Sequence, residues 1–116
     1  MENILEIIAE AKSNAKDAIE VAKIEWEKNT GGNEYGEPMY CGFAWVEVKE
    51  RSNSKLGKAL LASGFSKSYR GAGILECWNP ADYGGQSMDF KEIGAEAFAE
   101  HLNSVGIKAW SCSRAD

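Results

Sequence analysis

Hydrophobic residues in positions 2–28 recur at alternating steps of four and three, and this stretch contains neither Gly nor Pro. Such spacing predicts an amphipathic α-helix with small residues along most of its apolar seam. The seam residues are Ile4, Ile8, Ala11, Ala15, Ala18 and Ala22. Because an alanine seam buries little area by itself, it requires a partner helix, either from the same chain or from a second subunit in a homodimer.

The pattern changes after residue 29. Gly and Pro concentrate in 30–39, which predicts a linker. Beyond it, runs with the two-residue alternation of strands are separated by runs with helical spacing. We predict strands over about 40–49, 73–80 and 107–114, and helices over about 52–64 and 87–104. The chain is thereby divided into an N-terminal helix for docking or dimerisation (1–29), a linker (30–39) and a compact α+β domain (40–116).

This order of elements predicts an α+β fold in which a long N-terminal helix precedes a β-α-β-α-β unit. Its three-stranded sheet is expected to be covered by helices on at least one face. Helical connections between successive strands favour parallel neighbours, although short connections also allow a mixed sheet. A chain of 116 residues is long enough for one hydrophobic core.

Strand alternation separates two kinds of side chain. Each predicted strand has one small or aliphatic side and one side that combines a Trp with charged residues. We infer that helices cover the first face and that the second is a protein-binding surface, since Trp and Arg are enriched at interfaces. Its residues are Trp45, Glu47, Trp78, Trp110 and Arg114, with Glu76 and Lys108 beside them. The alternative is that the N-terminal helix covers this face and the Trp rings are core.

The composition indicates the cellular compartment in which we expect the protein to act. The N-terminus carries acidic residues where a secretory signal needs basic ones, and no segment approaches the roughly 20 apolar residues of a membrane span. Three cysteines, at 41, 77 and 112, are odd in number and widely spaced, which indicates reduced thiols rather than a disulfide framework. We expect a cytoplasmic protein without membrane association.

The net charge of −5 is unevenly distributed, because residues 51–70 carry five basic residues and no acidic one. Acidic flanks disfavour a broad nucleic-acid surface but leave room for a local anion site. The glycine-rich segment 64–73 supplies hydroxyls and cations suited to a phosphate-bearing ligand. The candidate ligand-binding residues are Ser66, Lys67, Tyr69 and Arg70, with Arg114 as a further candidate. The segment lacks the phosphate-loop pattern, and a solvated loop is the alternative.

No arrangement of residues indicates catalysis. The only histidine, His101, lies on a predicted helix with no Ser or Cys at a motif spacing. Pairing Cys41 with His101 as a nucleophile, or Glu47 with Glu76 as acid and base, is disfavoured. A zinc site is disfavoured too, because Cys77 falls on the opposite sheet face from the other two cysteines. We assign no catalytic residue, cofactor or metal ligand.

Four short words, CGFAWV (41–46), QSM (86–88), AFAEHL (97–102) and SRAD (113–116), resemble those in small uncharacterised proteins of tailed bacteriophages. The resemblance covers about 40–116 and implies an accessory protein acting in the cytoplasm of a bacterial host. The leading hypothesis is a non-enzymatic protein that binds a host protein. The second is a protein that binds or sequesters a small nucleotide or phosphate ligand, and the third is a small enzyme.

Overall fold

The computed structural model describes residues 3–31, 37–38 and 40–115 of the chain. Within them the fold is α+β with a long N-terminal helix, as the sequence predicts. In chain order the elements are α1 (Ile4–Thr30), β1 (Gly42–Lys49), α2 (Lys55–Ala62), β2 (Ser66–Lys67), β3 (Ile74–Trp78), α3 (Met88–Ser104) and β4 (Ala109–Ala115). Most of the predicted linker lies outside the described residues. None of the described helices has the combination of length and apolar character needed to cross a membrane.

The four strands form one antiparallel sheet in the order β2-β3-β1-β4. The prediction of three strands is therefore wrong, and so is the expectation of parallel neighbours. The additional strand, β2, lies in the segment 64–73 for which the sequence predicts a loop. It has only two residues, which are too few for alternation to reveal.

The helical connections explain why the neighbours are antiparallel. In this sheet β1 runs parallel to β2, and β3 runs parallel to β4, and a helix connects the members of each pair. Another strand lies between the members of each pair: β3 separates β1 from β2, and β1 separates β3 from β4. This interleaving is the split β-α-β, or ferredoxin-like, arrangement, here preceded by α1.

Each helix begins at a side chain that accepts a hydrogen bond from a backbone N–H group of the first turn. These capping residues are Asn3 for α1, Ser54 for α2 and Ser87 for α3. At α2, for example, the Ser54 hydroxyl oxygen lies 2.9 Å from the backbone nitrogen of Gly57. α1 ends at Gly31, whose φ of 75° is a left-handed conformation that glycine adopts without strain.

The helices cover one face of the sheet. α3 packs against β1 and β4, α2 packs against β3, and α1 packs mainly against α3. The covered sheet face consists of the small and aliphatic residues predicted for it, namely Ala44, Val46, Val48, Leu75 and Ala109. These residues and the buried residues of α1 and α3 belong to one hydrophobic core.

The alanine seam of α1 meets α3 of the same chain. Ala11 and Ala15 are fully buried in this contact. The seam therefore has a partner helix within the same chain, α3, which is the first of the two alternatives given by the sequence. Gly94 of α3 allows the close approach, since a Cβ atom at that position would lie 2.9 Å from Cδ1 of Ile19.

Candidate functional site

The face of the sheet opposite the helices carries the tryptophans, as the alternation predicts. We call this surface the tryptophan face. Across β3, β1 and β4 its paired residues form three rows, Trp78–Trp45–Cys112, Glu76–Glu47–Trp110 and Phe43–Arg114. Lys108, predicted for the same face, is exposed just before β4 begins. The five residues assigned to a protein-binding surface from the sequence thus lie on one face.

The described helices do not cover the tryptophan face. α1 lies on α3, and α3 packs on the other side of the sheet, so the Trp rings are not the core beneath α1. Phe43 and Trp78 remain 38% and 39% exposed. Trp45 is buried all the same, at 8% exposure, because its neighbours on the face surround it.

Glu47 organises this face. Its side chain is fully buried, and its carboxylate accepts hydrogen bonds from three side chains. The indole N–H of Trp45 donates at 3.0 Å, and that of Trp110 donates at 2.9 Å to the other oxygen. Nη1 of Arg70 donates to both oxygens, at 3.1 and 3.2 Å. A buried carboxylate is costly unless it is paired and hydrogen-bonded, and here both conditions are met.

The hydrogen bonds to Glu47 fix the orientation of two indole rings, and ring contacts extend this order to the exposed residues. The rings of Trp45 and Trp78 stack with centroids 4.3 Å apart and planes 13° apart. Phe43 contacts Trp78 edge-on at 6.0 Å. Stacked and edge-on aromatic pairs are each worth about 0.5–1.5 kcal/mol beyond burial. The exposed rings are therefore held by a buried layer.

Glu76 lies beside Glu47 and differs from it. The two residues are paired across β3 and β1, and Glu76 is also buried, at 7% exposure. Its Oε2 atom has no hydrogen-bond partner among the described residues. The carboxylate of Glu76 is therefore less fully hydrogen-bonded than that of Glu47.

The burial of both carboxylates changes the charge that the face presents to solvent. Lys49 and Arg114 are exposed, and the side chain of Arg70 is 51% exposed. The Arg114 guanidinium lies 5.8 Å from the ring centre of Phe43. The tryptophan face is thus bordered by cations, on a chain whose net charge is −5. Among the described residues of this face, the exposed charges are therefore positive, whereas the sequence predicted a mixture of signs.

The residues predicted for a phosphate ligand do not converge on one site. Ser66 and Lys67 are adjacent in β2 and so point to opposite faces of the sheet. Tyr69 is 81% exposed, and Arg70 is bound to Glu47. The structure thus does not bring the four residues together, and one of their two cations, Arg70, is bound to a buried carboxylate.

A different groove is lined in part by residues of the basic segment, 51–70. It lies between the turn before α2 and the β2–β3 hairpin. Its lining includes Arg51, Ser52, Lys67, Ser68 and Gly71 and contains no carboxylate among the described residues. The prediction from the sequence did not include Arg51, because this residue is 16 positions from Lys67 and only the tertiary structure brings the two together.

The residues considered for catalysis are separated from the tryptophan face or engaged within it. His101 lies between α3 and α1, with Nδ1 3.3 Å from Nδ2 of Asn14 and Nε2 3.3 Å from a carboxylate oxygen of Glu10. Cys41 is exposed and forms an isolated bridge with Ser87. The described residues contain no cluster of His, Cys, Asp or Glu that could hold a metal ion.

The thiols on the sheet lie in unreactive surroundings. Cys77 pairs with Val46 on the helix-covered face, as predicted, and Cys112 pairs with Trp45 on the tryptophan face. Burial raises the pKa of both thiols, and at Cys112 the nearby Glu47 carboxylate raises the pKa further. A raised pKa lowers the fraction of thiolate, which is the nucleophilic form.

Comparisons with protein-family models, curated proteins and solved structures gave no match. The resemblance of four short words to phage proteins therefore stays a prediction, and function is inferred from the geometry of the tryptophan face.

Proposed function

We propose that the chain is a non-enzymatic binding protein that engages a protein partner through the tryptophan face. One observation supports the proposal. Glu47 accepts hydrogen bonds from the indole N–H groups of two tryptophans, and the exposed aromatic rings pack against these ordered residues. Its carboxylate is saturated by three donors, so it is not free to act as a base. The arrangement is suited to presenting a surface rather than to moving a proton.

The chemistry of the face indicates the kind of partner. Trp and Arg residues supply much of the binding energy at protein interfaces, and rings that are already ordered lose little conformational entropy on binding. The cations at Lys49, Arg70 and Arg114 favour a segment that combines acidic and apolar side chains. The resemblance to phage accessory proteins adds a bacterial host protein as the partner and the host cytoplasm as the location.

The proposal is tested by capture followed by titration. Immobilised wild-type chain and the Trp78→Ala variant are incubated with bacterial lysate, and retained proteins are identified by mass spectrometry. The affinity of the recovered partner is then measured by calorimetry. We expect Trp78→Ala to weaken binding at least about tenfold, equivalent to about 1.4 kcal/mol. Arg114→Ala should weaken binding more at low salt than at high salt.

The matched control is Ile24→Ala, which removes an apolar side chain, 64% exposed, from α1 on the other side of the molecule. It should bind like the wild type. A partner that binds Trp78→Ala and wild type equally well would contradict the proposal. Open sheet faces with aromatic rings also stack RNA bases. Binding of single-stranded RNA in place of a protein, measured by fluorescence anisotropy, would therefore contradict it as well.

A second candidate function is the binding of a small phosphate-bearing ligand in the groove between Arg51 and Lys67. The specific observation is a lining with two cations and two serine hydroxyls and no carboxylate among the described residues. The test is a thermal-shift screen against nucleotides, sugar phosphates and inorganic phosphate. A ligand at 100 times its Kd adds about 2.7 kcal/mol of stability, which raises Tm by several degrees in a domain of this size.

Three variants test this groove, and two of them, Arg51→Ala and Arg70→Ala, distinguish it from the site expected from the sequence. Lys67→Ala and Arg51→Ala should each abolish the shift, whereas Arg70→Ala should preserve it, because Arg70 points away to Glu47. Loss of the shift in Arg70→Ala alone would move the ligand to the tryptophan face. A flat screen would remove this candidate.

A further inference from the structure

β4 is an edge strand with one open side. It is last in the sheet order, and β1 is its only neighbour within the part of the chain that the structure describes. The backbone N–H of Lys49 donates to the carbonyl of Lys108 at 3.1 Å. Hydrogen-bonded and non-hydrogen-bonded pairs alternate along an antiparallel ladder. This bond therefore indicates that the N–H and C=O groups of residues 108, 110, 112 and 114 point towards β1. The N–H and C=O groups of residues 109, 111, 113 and 115 therefore point away from the sheet.

One end of this open edge is closed by a side chain. The amide of Asn103 donates to the carbonyl of Ala109 at 2.8 Å and accepts from its N–H at 3.1 Å. No described residue bonds the outward groups of Ser111 and Ser113, and both residues are exposed. Natural edges are usually blunted by Pro, bulges or inward charges. Over residues 110–114, β4 has no Pro and no break in its register with β1, and its one charged residue is Arg114.

The sequence of this edge is self-complementary. It reads Trp110-Ser111-Cys112-Ser113-Arg114, and antiparallel pairing with a copy of itself, centred on Cys112, places Ser opposite Ser and Trp opposite Arg. The outward backbone groups make Ser111 and Ser113 of the two copies the hydrogen-bonded pairs, which gives four backbone hydrogen bonds. The two Cys112 residues then form a non-hydrogen-bonded pair, in which Cα atoms are about 4.5 Å apart.

We propose that β4 pairs with β4 of a second copy of this chain, in antiparallel orientation about a two-fold axis at Cys112. We infer a second copy of this chain as the partner because a single register pairs the outward backbone groups and also places Ser opposite Ser and Trp opposite Arg. Such an interface is isologous, so each copy supplies the same residues. The alanine seam of α1 takes no part in it.

The pairing extends the proposed binding surface. In an antiparallel pair, opposite residues lie on the same face, so the tryptophan faces of both copies form one surface of eight strands. Arg114 of each copy lies opposite Trp110 of the other, where a guanidinium over an indole contributes a cation–π contact. Each half of the joined surface is thus completed by a residue of the other copy.

The opposite side of the interface limits its strength. Glu92 contacts Ser113 at 3.1 Å and Asn103 contacts Ala109, so this face of α3 follows the edge, with exposed Glu96 between them. In the dimer these carboxylates approach those of the second copy. A five-residue strand pair is also small compared with the roughly 1,200 Å² or more of stable interfaces. We infer a weak dimer that strengthens as salt screens the carboxylates.

The test uses Cys112 as a reporter of register. A Cα separation of about 4.5 Å lies within the range of disulfides. The Cys41→Ser variant, which removes the exposed thiol, is treated with diamide at alkaline pH. Two Cys112 thiols lose two protons and two electrons to form one disulfide, and diamide is reduced to its hydrazine. We expect a covalent dimer whose Cys112–Cys112 link is identified by mass spectrometry.

Moving the thiol by one residue is the matched control. In the Cys112→Ser/Ser113→Cys variant the new thiol is more exposed, but it lies opposite Ser111 of the second copy and not opposite itself. Random collision favours residue 113, whereas the proposed register favours residue 112 by at least about tenfold in rate, through proximity. Equal or faster linkage at 113, or no linkage at 112, would overturn the proposal.

A second variant tests association without oxidation. Ser113→Pro removes an N–H that points away from β1, so the sheet keeps its own hydrogen bonds while the edge is blocked. Sedimentation of the reduced wild type at high protein concentration should show a dimer that increases with salt. Ser113→Pro should remain monomeric with an unfolding midpoint close to the wild type. A dimer that persists in this folded variant would refute pairing through β4.

Discussion

Glu47 and Arg70 form an ion pair at 3.1 Å between a fully buried carboxylate and a half-exposed guanidinium, 23 residues apart in the chain. The pair connects the segment between β2 and β3 to the centre of the tryptophan face. Because two indole N–H groups share the same carboxylate, Arg70 also supports the rings of Trp45 and Trp110. A cation that the sequence suggests for ligand binding thus has a structural role.

Replacing Glu47 by Gln tests the role of its charge. Gln retains one oxygen acceptor but loses the ion pair and part of the acceptor capacity, so we expect the free energy of unfolding to fall by about 1–3 kcal/mol. The measurement is urea denaturation followed by circular dichroism. Glu96→Gln, at an exposed position of α3, serves as control and should change stability little. Equal stability of the two variants would show that the negative charge of Glu47 contributes nothing to stability.

Arg70→Ala should lower stability through the same network. The variant leaves a buried carboxylate with only its two indole donors. Because the guanidinium is half exposed and water partly replaces it, we expect a loss of only about 1 kcal/mol. Lys67→Ala, also in the basic segment but with an exposed side chain, is the comparison and should be close to neutral. The readout is the midpoint of urea unfolding.

The indole N–H groups should exchange with water at different rates. Those of Trp45 and Trp110 donate to Glu47, whereas that of Trp78 has no acceptor among the described residues and its ring is 39% exposed. We expect the first two to be protected and Trp78 to exchange rapidly. Proton–nitrogen NMR spectra recorded after transfer to D₂O resolve the four tryptophans. Rapid exchange of the indole N–H groups of Trp45, Trp78 and Trp110 alike would contradict the hydrogen-bond network.

Trp45 and Trp78 should respond differently to truncation, although they stack on each other. Trp45 is buried, so Trp45→Ala should cost about 3–5 kcal/mol. Trp78 is partly exposed, and Trp78→Ala should cost much less, which is why it is the variant for binding experiments. Thermal unfolding of both proteins checks the difference. If Trp78→Ala were the more damaging, the burial of the two rings would be assigned incorrectly.

Ala15→Lys tests the docking of α1. Ala15 is fully buried between α1 and α3, so a charged side chain must either be buried without a partner or separate the helices. We expect a loss of at least about 3 kcal/mol, or failure to fold, without any need for a second subunit. Val21→Lys, 57% exposed on the same helix, is the control and should fold normally. A stable Ala15→Lys monomer would place the seam at the surface.

The sequence by itself determined the features that depend on local periodicity. The spacing of apolar residues predicted α1 and α3 within a few residues, because a helix exposes its seam every three or four positions. Strand alternation placed Trp45, Trp78 and Trp110 on one face, because successive side chains of a strand point to opposite sides. These relationships need no knowledge of strand order.

The tertiary structure decided everything that depends on which strands are neighbours and on what lies above them. β2 is too short to have a pattern, and its hairpin with β3 inserts one strand between each helically connected pair. The contact of Arg70 with Glu47, the covering of the α1 seam by α3 and the open edge of β4 all join distant parts of the chain. Periodicity is a local property, whereas burial of a carboxylate or a seam depends on long-range packing, and only the folded chain specifies it.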